Sequence, residues 1–107
     1  MFDNKPVAKA GKRVYAIRDA EVGKVFLYGF GVYEGEEIPD KEAQGLAAAL
    51  REANNTNPKI RLDNGKIVWG CECWWGAEDQ FKLKFGESKI VEVDITAERM
   101  KQTGEIN

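Results

Sequence analysis

Apolar and polar positions alternate with a period of two early in the chain, where Val14 and Ala16 fall on one side of an extended segment and Tyr15 and Ile17 on the other. That period predicts a β-strand, because successive side chains of a strand point to opposite faces. The run KVFLYGFGVYEG, residues 24–35, repeats it, with Val25, Leu27 and Gly29 opposing Phe26, Tyr28 and Phe30. Both sides of this run have side chains to bury, as in a strand from the middle of a sheet. Glycines at 23, 29, 31 and 35 interrupt the pattern. Glycine inside a strand marks a bulge, a bend or a close approach, so residues 30–35 are expected to curl before another short β segment.

The period then changes. Ala43, Leu46, Ala47, Leu50 and Ala53 recur at spacings of three and four, which predicts a helix over residues 40–54. Asp40 or Pro39 stands at its start, Gly45 inside it, and Asn54, Asn55 and Pro58 at its stop. Residues 57–70, NPKIRLDNGKIVWG, hold the turn dipeptide Asn64-Gly65. Taken as a two-residue hairpin turn, it places Asp63 opposite Lys66, Leu62 opposite Ile67 and Ile60 opposite Trp69. Phe81, Leu83 and Phe85 alternate with Lys82 and Lys84, which predicts another strand, and residues 86–88 turn the chain into a last strand over 90–95. A short helix over residues 96–103, stopped by Gly104, closes the pattern.

The order of these elements predicts an α+β fold: a small curved, mostly antiparallel β-sheet or partly open barrel, one main packed helix and a short C-terminal helix. With 107 residues, positions 1–107 are expected to form a single globular domain. Its 18 acidic and 16 basic residues leave a net charge of -2, which gives no general field for a phosphate backbone, so nucleic acid is not an expected partner. Lys5, Lys9, Lys12, Arg13 and Arg18 bias the start of the chain basic, and residues 34–42 are acidic. No apolar run approaches the roughly 18 residues of a membrane span, and MFDNKPVAKAGKR lacks the apolar centre of a secretory signal. The expectation is a cytoplasmic protein without membrane contact.

The chemistry is concentrated in GKIVWGCECWWG, residues 65–76, which holds all three tryptophans and both cysteines. A structural zinc site takes four Cys or His ligands, and this chain has two cysteines and no histidine. Thiol redox chemistry favours a CxxC pair at a helix start, whereas Cys71 and Cys73 flank Glu72, whose charge opposes a thiolate. Packing is the economical reading: in an extended segment Trp69, Cys71, Cys73 and Trp75 share one face, and small thiols fill space between large rings. No catalytic residue, metal ligand or cofactor is expected.

Trp74 falls on the other side of that segment with Glu72. An aromatic surface contributed by Tyr28, Phe30, Tyr33 and Trp74, with the carboxylates Glu36, Glu37 and Glu72, is the candidate binding region. It points to a non-enzymatic interaction or regulatory module acting by protein recognition or self-association, because aromatics anchor an interface without a large positive field. Two alternatives remain. A small-ligand or nucleotide-binding domain would place a pocket beside Phe30, Gly31 and Glu72, although GFGVYEG lacks the dinucleotide fingerprint. A divalent-metal hydrolase would require Glu36 or Glu37 to converge with Glu72.

Overall fold

The computed structural model describes residues 9–40 and 45–103. Its strands are β1 (Arg13–Glu21), β2 (Lys24–Glu37), β3 (Asn57–Leu62), β4 (Ile67–Trp69), β5 (Trp74–Ala77) and β6 (Lys89–Glu92). The helices are α1 (Leu46–Glu52), α2 (Phe81–Phe85) and α3 (Ile95–Thr103). The sheet runs β4-β3-β2-β1-β5, and β6 joins β2 along the edge that β3 also uses. β6 lies parallel to β2 and the other pairings are antiparallel. The fold is a small α+β domain with an open, mostly antiparallel sheet, one main packed helix and a short C-terminal helix. Among the described residues no helix is long and apolar enough to cross a membrane.

The sheet is strongly curved, for a topological reason. β4 and β5 stand at opposite ends of the strand order, yet only residues 70–73 connect them, and 70–72 form a 3-10 turn. Five flat strands would hold their edges about 19 Å apart. A connection that includes a turn rising about 2 Å per residue does not reach so far. The strands therefore curl, and the inner face gathers Val14, Ala16, Tyr28, Tyr33, Ile60, Leu62 and Val68, with Ile95 of α3 packed among them. Tyr33 of β2 and Trp75 of β5 stack across β1 with ring centroids 4.9 Å apart, a contact that a flat sheet would not permit.

The hairpin forms at the expected place in a different register. Arg61 pairs with Ile67, Ile60 with Val68 and Lys59 with Trp69, one position away from the pairing expected of a two-residue turn. The Gly65 N–H donates to the Leu62 carbonyl and the Leu62 N–H to the Lys66 carbonyl, so the loop is residues 63–65, with Gly65 at φ +91°. Asn-Gly serves here in a turn followed by a left-handed glycine bulge, which adds a residue and shifts every later pair. As a result Val68 faces the inner core opposite Ile60, while Trp69 is buried on the other side of β4. Asp63 pairs with Arg13 through two bonds of 2.7 and 2.8 Å, and Lys66 reaches Asp94 at 2.5 Å.

Three further expectations change. Residues 81–85 are helical and not a strand: Phe81 and Phe85, four apart, both face the sheet, and Leu83 points to solvent. The last strand ends at Glu92. Asp94 then caps α3, accepting from the Ala97 N–H at 3.1 Å, and Ile95 enters the core as the first helical residue. α1 is described from Leu46, with Gly45 as its N-terminal boundary at φ +62°, outside the helix interior. Residues 41–44 of the expected helix, and Gly104, lie outside the described residues. Its stop is as expected: Asn54 at φ +62° and Asn55 donate to the Arg51 and Leu50 carbonyls, a Schellman closure.

The surface pairs make stability depend on acid. The Arg61 guanidinium holds Glu34 below the usual carboxylate range, Arg13 does the same for Asp63, and the Lys66 ammonium with the Ala97 N–H does so for Asp94. Unfolding returns these groups to ordinary values, so the unfolded chain binds more protons in that range. Their contribution is complete above the ordinary carboxylate range and disappears as pH falls through the depressed values. Urea midpoints are expected to fall on acidification from about pH 6 to about pH 2.5, and less steeply in Arg13→Met/Arg61→Met. An equal slope in the variant would remove these pairs from the account.

Candidate interaction surface

The outer face of the curved sheet is built by the side chains that alternate with the inner core. Tyr15 and Ile17 of β1, Val25 and Leu27 of β2, and Phe81 of α2 are buried there, with Phe30 and Phe85 half-buried against them. Phe81 is the hub of the aromatic packing: its ring lies 5.5 Å from Tyr15, 5.1 Å from Phe30 and 5.2 Å from Phe85. The covering helix has only five residues, so much of this face stays open. Trp74 is 71% exposed, Leu83 78% and Ile90 47%.

Strand pairing places Trp74 and Ile90 on the same side, the side on which α2, carrying Leu83, packs through Phe81. Trp74 stands directly across from Ile17, and Ile90 across from Val25, so both project from the outer face. A shallow groove of about 350 Å³ runs between α2 and the sheet, lined by Phe30, Phe81, Lys82, Phe85 and Ile90. Large apolar groups exposed together, unlike isolated ones, mark contact surfaces.

Phe30 and Trp74, two of the four expected aromatics, belong to this face. Tyr28 and Tyr33 do not: both are buried in the inner core. The cause is Gly29. At φ +149° it lets β2 bulge, so the β1 ladder passes from Ala16–Gly29 to Ile17–Leu27 and skips Tyr28. Leu27 and Phe30, three apart, then face outward, while Tyr28 turns inward with Tyr33. The proposed four-ring surface is corrected accordingly. A simple period of two carried through residues 24–33 cannot anticipate this switch.

The carboxylates also separate. Glu36 accepts from the Tyr33 hydroxyl at 3.3 Å and from Thr56 at 3.4 Å, and Glu37 pairs with Lys59 at 3.2 Å. Glu72 is held by Arg99 through bonds of 2.7 and 2.6 Å and accepts the Trp69 N–H at 3.0 Å. Among the described residues no cluster of three or more Cys, Asp or Glu has the arrangement of a metal site. The ligand pocket expected beside Phe30, Gly31 and Glu72 is not assembled either. Gly31 lies on the β3 backbone, and Glu72 lies beside Trp69 and Arg99. A cleft of about 560 Å³ between the hairpin turn and β6 is lined in part by Asp63 and Asp94, whose charges Arg13 and Lys66 already meet.

The 3-10 turn at 70–72 breaks the extended phase expected for the cysteine segment. Trp69 and Trp75 therefore face opposite sides of the sheet, and Cys73 packs with Trp75 against the inner core. Burial pushes the Cys73 thiol up, with Glu72 adding to the effect, and the same two causes raise Cys71. Neither thiol is poised as a nucleophile. The Tyr28 hydroxyl is buried without a hydrogen-bond partner among the described residues, and burial raises its pKa as well.

Leu83 and Phe85 are absent from the expected site because residues 81–85 read equally well as an alternating strand that buries both. The available signal was Leu83: a helix projects it away from Phe81 and Phe85, whereas a strand aligns all three. Compared with known protein families, curated proteins and solved structures, the chain matches none of them.

Proposed function

We propose that this domain is a non-catalytic protein-recognition module that binds through the outer face of its sheet. The observation that carries the reading is the groove lined by Phe30, Phe81, Phe85 and the exposed Ile90, with Trp74 and Leu83 also exposed on the outer side of the sheet. Such a surface supplies aromatic anchors and a groove to seat a partner's side chain, the features that concentrate binding energy in interfaces. Glu36, Glu37 and Glu72 are taken up by internal partners, and ionisation of Cys71 and Cys73 is opposed.

A photo-crosslinking side chain placed at Leu83 or at Ile90, in cells producing the protein, tests the assignment. Adducts are expected from both positions and not from Glu52, an exposed residue of α1. Equal yield from Glu52, or none from positions 83 and 90, would contradict the outer-face assignment.

A further inference from the structure

We infer that the partner of the outer face is a second copy of this chain, related by a two-fold axis. The inference rests on the reading of that face as a protein-recognition surface and adds the occupant. Its basis is the charge pattern around the apolar groups. Asp79, Lys82, Lys84, Glu87, Lys89 and Glu92 are all exposed in the segment that carries Leu83, Phe85 and Ile90. Among the described residues none of the six has an ion-pair partner.

Most charges elsewhere are satisfied within the chain, although Lys9, Lys12, Glu21 and Lys24 also lack an ion-pair partner among the described residues. Arg13 is bound to Asp63 and Glu78, Arg18 to Glu98, Lys59 to Glu37, Arg61 to Glu34, Lys66 to Asp94 and Arg99 to Glu72. On the side of the apolar face this unpaired set holds two lysines, Lys82 and Lys84, and three acids, Asp79, Glu87 and Glu92, because Lys89 alternates with Ile90 along β6. A rim of one sign would repel its own copy and attract a strongly charged partner of the other sign. A rim of mixed sign does neither. It is complementary to itself, because a two-fold axis brings a surface against the same surface and lets lysines of one copy meet acids of the other. The net charge of -2 per chain adds little repulsion at physiological salt. In this arrangement the apolar centre supplies attraction, and the rim sets orientation.

Charge exchange tests this with the purified chain. One variant carries Lys82→Glu and Lys84→Glu, and a second carries Glu87→Lys and Glu92→Lys. All four positions are exposed, so folding is expected to survive, with circular dichroism as the control. Sedimentation equilibrium from about 1 µM to about 1 mM is expected to show a dimer for the native chain and at least about tenfold weaker association for each variant alone. An equimolar mixture of the two variants is expected to regain association at or above the native level, because the rims are then opposite in sign. A native chain that stays monomeric throughout that range, or a mixture that associates no better than its components, overturns the proposal. If crosslinks from positions 83 and 90 nevertheless reach other proteins, the outer face keeps its role and only the identity of its occupant falls.

Discussion

Trp69→Ala is expected to lower the unfolding free energy by about 3–5 kcal/mol, the usual cost of deleting a large buried aromatic whose cavity does not collapse. Trp69 ends β4 and is buried although it faces away from the inner core. It also sits where the chain leaves one edge of the sheet for the other, so the void would open beside the 3-10 turn that closes the curvature. Trp74→Ala supplies the contrast, because that ring is largely in solvent and its removal is expected to change stability by less than about 1 kcal/mol. Urea unfolding of both variants measures the difference, and similar losses would show that exposure does not separate the two rings.

Glu72→Ala is expected to cost about 2 kcal/mol, since breaking this part-buried ion pair leaves Arg99 uncompensated and only partly solvated. The Glu72 side chain is 4% exposed and that of Arg99 21%. Together they fasten α3 to the 3-10 turn, and Arg99 also donates to the Ile67 carbonyl at 2.8 Å. The loss should be smaller when both charges go: Glu72→Ala/Arg99→Met is expected to recover about 1 kcal/mol or more relative to Glu72→Ala alone. Additive losses in this double-mutant cycle would mean that the pair does not act as a unit.

Much of the architecture was legible in short-range patterns. Alternation located β1 and β2, and the apolar spacing and the Asn54-Asn55 stop located the end of α1. Asn64-Gly65 located the hairpin but not its register, because the same dipeptide fits a two-residue turn and a three-residue loop with a left-handed glycine. Phe81 and Phe85 fit both a strand and a helix, and the helix was settled by packing on Tyr15 and Phe30, which are distant in sequence.

Two members of the proposed outer-face surface were legible for the same reason. Phe30 and Trp74 were identified as surface candidates from composition and strand phase. Their common face depends on the Gly29 bulge and on β5 pairing with β1, and both are tertiary facts. Glu72 stood out as a carboxylate beside the cysteines, but its partner Arg99 lies on α3, outside the reach of any local motif.

The central claim is that Gly29 divides the aromatics between a permanently buried inner face and an outer face that another protein surface covers. Solvent paramagnetic relaxation, measured by NMR on the purified chain across a dilution series, tests it most directly. Under dilute conditions the Trp74 indole, Leu83 and Ile90 are predicted to be strongly relaxed and Tyr28 and Tyr33 protected. At high concentration the first group alone is predicted to gain protection. Strong relaxation of Tyr28 and Tyr33, or concentration-dependent protection centred on another face while Trp74, Leu83 and Ile90 stay exposed, would contradict the account.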